Sequence, residues 1–262
     1  MDKKVIITGC TKNSASYIQD RIIKLHEMGK YFKEYSILLY ENDSIDNTVD
    51  ILNNNKNNYF NFISETNIIE RIKHKELHNR VQILCYARNQ LLNHVKLHFS
   101  HYDLLIMIDL DNVLENFKPN MILNAFKYGD NWAGLTANCI GKYYDIWALR
   151  IDNTIWNNGI HGQIWKEPLI HDCWSQIKNN ISPRQLIKEY QTIIPITMPL
   201  IQTTSSFGGL GIYKINAIMN AKYDIYNGQF CQCEHVMFNQ GIKGKIFICP
   251  KLLLKCPEEH IL

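Results

Sequence analysis

Apolar residues occur in short continuous runs, separated by longer stretches in which they recur every three or four positions. The runs Val5–Cys10 (VIITGC), Ser36–Tyr40 (SILLY), Tyr59–Ile63 and Leu104–Ile108 (LLIMI) are too short for amphipathic helices and predict buried strands. Between them, Ser14–Gly29 places Ile18, Ile22 and Leu25 on one helical face, with Ile23 widening the stripe. Ser14 is the expected cap of that helix and Gly29 its expected end. Asp46 is expected to cap a short helix running through Leu52. Arg80–Val95 predicts a longer helix, with Val81, Leu84, Cys85, Leu91, Leu92 and Val95 available for burial. Strands alternating with helices predict an α/β chain: a mostly parallel, Rossmann-like sheet flanked by helices, with right-handed crossovers. Such sheets bind ligands at the carboxyl ends of their strands, near a switch in strand order. That rule singles out Gly9–Ser14, Glu41–Thr48 and Asp109–Asp111. The second half is less regular and richer in Trp, Gly and Pro, with no clear linker before it. The chain therefore reads as one compact domain with two halves, 1–115 and 116–262.

Composition narrows the class. Of 262 residues, 46% are hydrophobic and 20% charged, which excludes a disordered chain. Lys plus Arg number 28 against 25 acids, for a net charge of +3, and no stretch is dominated by basic residues, so nothing argues for nucleic acid as a partner. No apolar run reaches the roughly 18 residues that span a bilayer, and MDKKVIITGC enters a strand without a signal-peptide core. The expectation is a soluble protein in a reducing, cytoplasmic setting, a virus-infected host's included. Eight cysteines stand at 10, 85, 139, 173, 231, 233, 249 and 256 with no CxxC pair, so buried thiols are expected rather than disulfides. Cys231, Cys233, His235, Cys249 and Cys256 lie near the C-terminus, but their spacing fits no standard zinc module.

Three groups of residues carry possible chemistry. Asp109-Leu110-Asp111 follows the LLIMI run directly, so two carboxylates project from the end of a buried strand. Like charges so placed are unfavourable unless something positive sits between them. Mn²⁺ or Mg²⁺ bridging a diphosphate supplies that charge and accepts hard oxygen ligands; an Asp111 that caps the following turn beside a solvated Asp109 is the plainer reading. In YENDSIDNT (40–48), Glu41 and Asp43 can accept from a base N–H or a ribose hydroxyl, while Asp46 and Thr48 suit a turn and a helix start. In Ala87-Arg88-Asn89, Arg88 can meet phosphate or hold an acidic ligand in place, and Arg80 can meet an anion at its helix start.

Together these resemble the GT-A nucleotide-sugar glycosyltransferases of the family 2 pattern, in which a DDGSxDGT-like turn, an ARN helix and a DxD strand follow one another. Here the counterparts are ENDSIDNT at 41–48, ARN at 87–89 and IDLD at 108–111, in that order over residues 3–115. The acidic pair of the first motif is Glu41-Asn42, and its Gly is Asp43. Downstream, DIWALR at 145–150, SSFGGLGIY at 205–213 and CEHVMFN at 233–239 resemble capsule-associated mannosyltransferases. The resemblance implies a metal-dependent hexosyltransferase that moves a sugar from a UDP- or GDP-sugar to a glycan or other hydroxyl acceptor. It implies nucleotide contacts at Thr8, Gly9, Glu41, Asp43, Arg88 and Asp109, a metal shell of Asp109, Asp111 and His260 (His235 being the other late histidine), and Glu234 as catalytic base. Read from the residues alone, Glu234 opens a helix whose dipole favours a carboxylate, and Gly208-Gly209-Leu210-Gly211 is a turn that lets backbone approach a ligand closely. Trp147 and Trp156 suit either a sugar face or the core. A nucleotidyltransferase, expected to carry a basic Gly-rich loop after the first strand, and a non-catalytic nucleotide-sugar-binding module are the alternatives.

Overall fold

The run VIITGC forms the middle of β1 (Lys4–Thr11), and its alternate residues face opposite layers: Val5 and Ile7 enter one apolar core, Ile6 the other. A computed structural model describes residues 1–72, 79–170, 182–225, 232–256 and 258–261. The chain continues through α1 (Ile18–Gly29), β2 (Glu34–Asn42), α2 (Thr48–Asn55), β3 (Phe60–Glu65), α3 (Ile68–Arg71), α4 (Asn79–His98) and β4 (Leu104–Ile108). It then adds β5 (Gly134–Ile140), α5 (Asn153–Asn158), α6 (Pro183–Tyr190), β6 (Ile201–Thr203), β7 (Leu210–Lys214), α7 (Glu234–Gln240) and β8 (Ile246–Lys255).

The eight strands form one sheet in the order β3-β2-β1-β4-β7-β5-β8-β6. β1, β2, β3 and β4 are parallel, and β5 is parallel to β8; β7 runs against β4 and β5, and β6 against β8. The chain leaves β1 outward to β2 and β3, then returns to place β4 on β1's other side. Strand order therefore reverses between β1 and β4, the position where open α/β sheets form a crevice at their carboxyl ends. α1 and α2 pack on one face with Ile18, Ile22, Leu25 and Leu52, and α4 and α7 on the other with Leu91, Leu92, Val95 and Phe238. A third cluster around Tyr143, Ile146, Trp165 and Ile194 closes the second half. Because β4 of the first half pairs with β7 of the second, both halves share the sheet.

Each strand and helix predicted in the first half is present, with ends that differ in instructive ways. Ser14 does not cap α1: its hydroxyl pairs with Thr11 Oγ1, and the helix starts four residues later behind Tyr17. Gly29 is the last residue of α1 but makes no left-handed turn; it lies so close to Tyr35 that a β-carbon there would be 2.4 Å from the ring. Asp46 organises the turn, accepting from the Thr48 N–H and hydroxyl and from the Ala15 N–H, while Asn47 stands at the helix start. None of the six described cysteines forms a disulfide; Cys173 and Cys231 lie outside the described residues.

Candidate functional site

The carboxyl ends of β1 and β4 open into a cleft with two lobes of about 540 and 410 Å³. Arg80, Leu84, Arg88, Asp109 and Asp111 line both, so the DxD segment forms the ridge between them. The smaller lobe runs over Thr11, Lys12, Tyr17 and Asn42 at the ends of β1 and β2. The larger reaches Tyr144, Asp145, Trp147, Phe207, Glu234, His235 and His260.

The ridge is held from behind. Leu110 is buried, so the alternation of Asp109-Leu110-Asp111 turns both carboxylates toward the cleft while the leucine anchors the loop in the core. The Leu110 carbonyl accepts from Arg21 Nε at 3.2 Å, and Lys24 Nζ donates to the carbonyls of Leu114 and Glu115. The Asp109 N–H donates to the Gly209 carbonyl at 2.8 Å. Gly208 and Gly209 have φ of +65° and +84°, and a β-carbon on Gly208 would lie 2.4 Å from the Ala137 carbonyl. Their freedom thus brings the turn against β5 and the acidic residues, instead of against a ligand as expected. The Gly208 N–H completes the arrangement by donating to Asp145 at 2.9 Å.

At the floor, the Arg88 guanidinium is buried between two carboxylates: Nη2 donates to Asp109 at 2.8 Å and Nη1 to Glu234. Burial opposes its charge, but Glu234 and Asp109 hold its pKa well above the ordinary value. Asp109 moves the other way. The surrounding protein raises its carboxyl to about 7, against the pull of Arg88 and with help from Asp111 and Asp145. Burial likewise raises Asp145, partly offset by the Gly208 N–H. The neighbouring thiols follow the same rule: burial pushes Cys10 up to about 12.

Of the residues expected to contact a nucleotide, Arg88 and Asp109 line the cleft. Thr8 is buried in β1, its hydroxyl donating to the Ile106 carbonyl. Gly9 is the point where β1 meets the end of β4: a β-carbon there would lie 2.6 Å from the Ile108 carbonyl. Glu41 is buried and accepts from the Ser44 N–H and the Ser64 hydroxyl; Asp43 accepts from Asn42, Asn67 and Ile68. Both tie their loop together, and their neighbour Asn42 lines the smaller lobe instead.

Asp109, Asp111 and His260 line one lobe but do not close on a point. Asp111 Oδ1 accepts the Val113 N–H, and His260 stacks on Tyr144 at 5.6 Å. Among the described residues no three His, Cys, Asp or Glu side chains gather as a metal shell, in this cleft or at the C-terminal cysteines. Asp111 is nonetheless exposed to the cleft beside Asp109, and this pair of carboxylates suits a hard cation that takes its remaining oxygens from a ligand.

Sequence reasoning missed Asp145, Arg21 and Phe207 as parts of the site. Arg21 had a legible signal, since it falls among Ile18, Ile22 and Leu25 on the apolar stripe, where a charge needs a partner. Trp147 lines the larger lobe, whereas Trp156 stacks on His161.

No family model matches the sequence, and no curated protein matches it. Solved structures do match in three dimensions. A mannosyltransferase from Pyrobaculum calidifontis, in complex with GDP-Man and Mn²⁺, superposes with a TM-score of 0.50 at 12% identity, over 98% of this chain and 58% of its own. S. aureus TarS with UDP-GlcNAc gives 0.49 at 12% identity, over 98% and 60%. Glucosyl-3-phosphoglycerate synthase from Mycobacterium tuberculosis, with Mn²⁺, UDP and phosphoglyceric acid, gives 0.41 at 10%, over 84% and 58%. The chain has the GT-A fold. It spans about three fifths of the length of these structures.

Proposed function

We propose that this chain is a glycosyltransferase, moving a sugar from a nucleoside diphosphate sugar to an acceptor hydroxyl with a divalent cation at Asp109 and Asp111. The observation that carries the reading is the DxD ridge itself: two carboxylates at the end of β4, beside the strand-order switch of a GT-A fold, between two lobes that share them. The smaller lobe suits the nucleoside, with Asn42 and Tyr17 as its polar and aromatic contacts; the larger suits the sugar and acceptor. The fold-sharing mannosyltransferase binds GDP-Man and Mn²⁺, which supports this class of donor and cation.

The barrier to such a transfer lies in parting the sugar from a leaving diphosphate. A bound Mn²⁺ or Mg²⁺ supplies positive charge against that group. Asp109 and Asp111 provide its protein oxygens, with His260 within the same lobe. Arg88 adds a permanent charge at the floor and fixes Asp109 in position. Glu234 is the group we place at the acceptor proton. Arg88 takes its Oε1, while Oε2 faces the Cys233 thiol at 3.6 Å, so Oε2 is the oxygen to receive a hydroxyl proton if configuration inverts. If configuration is retained, the same carboxylate stabilises positive charge at the sugar. Among the described residues no helix is long and apolar enough to cross a membrane; we propose a cytoplasmic setting, where nucleotide sugars are available.

A thermal-shift panel of UDP-, GDP- and CMP-sugars, with and without Mn²⁺, tests the function. Stabilisation follows affinity for the folded state, so one nucleotide class should raise the melting temperature, and more so with Mn²⁺. A chain indifferent to all three classes would remove the reading.

A further inference from the structure

Asp145 and Trp147 line the larger lobe and not the smaller, and each is half-buried, so both side chains are open to what enters it. Ile146 between them is fully buried in the third apolar cluster and anchors their segment. The segment is pinned from several sides. The Gly208 N–H donates to Asp145 Oδ2 at 2.9 Å, Ser205 Oγ to the Ala148 carbonyl at 2.6 Å, and Arg150 Nη1 to the Trp147 carbonyl at 3.1 Å. A group that binds here meets side chains already held in place. Among the described residues no lysine or arginine pairs with Asp145, because Arg88 is engaged by Asp109 and Glu234.

Position shows which part of a substrate meets this pair. In the nucleotide-sugar reading of the cleft, on which this inference rests, a diphosphate joins a nucleoside in the smaller lobe to a sugar in the larger. It therefore crosses the ridge, where Arg80, Arg88, Asp109 and Asp111 line both lobes. Among the described residues confined to the larger lobe there is no lysine or arginine. The carboxylates there are Asp145 and Glu234, and Tyr144, Trp147 and Phe207 supply aromatic surface. An acceptor that carries a phosphate needs cationic donors and would meet like charge on this wall. A neutral sugar needs what the wall has. A carboxylate accepts from its hydroxyls, and an aromatic ring covers its apolar C–H face.

We propose that the acceptor is a neutral sugar, packed on Trp147 with a hydroxyl donating to Asp145 beside Glu234.

The full chain is loaded with Mg²⁺ and with UDP or GDP, whichever raises its melting temperature. It is then titrated with methyl glycosides of glucose, mannose, galactose and xylose, and with 3-phosphoglycerate and glucose 6-phosphate, binding being read by saturation-transfer NMR. A glycoside should bind, and both phosphates should bind at least about tenfold more weakly. Trp147→Ala should weaken the glycoside about tenfold and leave nucleotide affinity within about twofold, with Trp147→Phe recovering part of the loss. Asp145→Asn keeps an oxygen for the Gly208 N–H but loses the charge, and should also weaken the glycoside about tenfold. Phosphates that bind as well as the glycosides, glycosides that bind Trp147→Ala and Asp145→Asn unchanged, or no glycoside bound by a chain that binds nucleotide, overturn this inference alone. Variants that lose affinity for the nucleotide sugar and not for the glycoside place the pair on the transferred sugar, and overturn it too. A chain that binds no nucleotide or nucleotide sugar overturns the functional reading and this inference with it.

Discussion

Two sets of carboxylates stand near the carboxyl end of the sheet, on either side of β1, and they differ in what satisfies their oxygens. Glu41 at the end of β2, and Asp43 and Asp46 after it, are tied to N–H groups, an amide and hydroxyls of their own loop and its neighbours. Asp109, Asp145 and Glu234 gather around one guanidinium and one glycine N–H and face an open lobe. Hydrogen bonds lower Asp43 and Asp46 below the ordinary carboxylate range, against some burial. Burial raises Asp109 and Asp145. The first set builds a loop, and the second lines a lobe that a ligand can enter. Acidic motifs that look alike in sequence thus separate by the company their oxygens keep.

The sharpest way to break this comparison is to remove the guanidinium. Arg88→Met leaves two carboxylates unpaired at the cleft floor and should cost about 3–5 kcal/mol in urea unfolding. Removing the exposed partner of Glu65 by Arg71→Met should cost far less, because water screens that pair. Equal losses would show that Arg88 is merely another surface ion pair. Glu234→Gln keeps the shape of the carboxyl and removes its basicity. Transfer activity should fall at least about a hundredfold, with nucleotide-dependent stabilisation retained. Unimpaired transfer would exclude Glu234 from the chemistry.

The two sets should also respond oppositely to pH. Asp109 holds its proton to about 7 in the folded chain but releases it near its ordinary 3.8 when unfolded. The stability it lends is therefore full below about pH 4 and lost as pH rises through 7. The ionised form it then adopts is the one that binds a cation, so Mn²⁺-dependent stabilisation by nucleotide should strengthen roughly tenfold in affinity from pH 6 to 8. A flat profile would remove Asp109 from the cation site. Asp43 and Asp46 contribute fully above their unfolded value and lose that contribution only as acid reaches their lower folded values. The smallest effect is expected at the loop itself: Asp46→Ala should loosen the turn it organises and leave cation-dependent binding unchanged. A loss of binding there would move the first set into the site.

Much of the first half was legible because its elements are locally specified. Short apolar runs, a stripe at helical spacing and an acidic pair after LLIMI each carry a meaning that needs no distant partner, and β1 to β4 appear where those patterns fall. The partition of the acids was not legible. Glu41 and Asp43 have the residue types of ligand contacts, but Ser64, Asn67 and Ile68, more than twenty positions away, occupy their oxygens. Asp145 enters the site only because Gly208 folds back from a point 63 residues later. Pairing over such separations is set by the sheet, β2 beside β3 for the first set and β4, β7 and β5 for the second, and no local pattern records it.

We propose that Asp109 and Asp111 hold a cation that a nucleotide diphosphate completes. Calorimetric titration of nucleotide sugar with Mn²⁺ and with EDTA, on the native chain and on Asp111→Ala, tests it directly. Binding should be at least tenfold tighter with Mn²⁺ in the native chain, with no such difference in the variant. Equal affinity in Mn²⁺ and EDTA, or a full Mn²⁺ effect without Asp111, would contradict it.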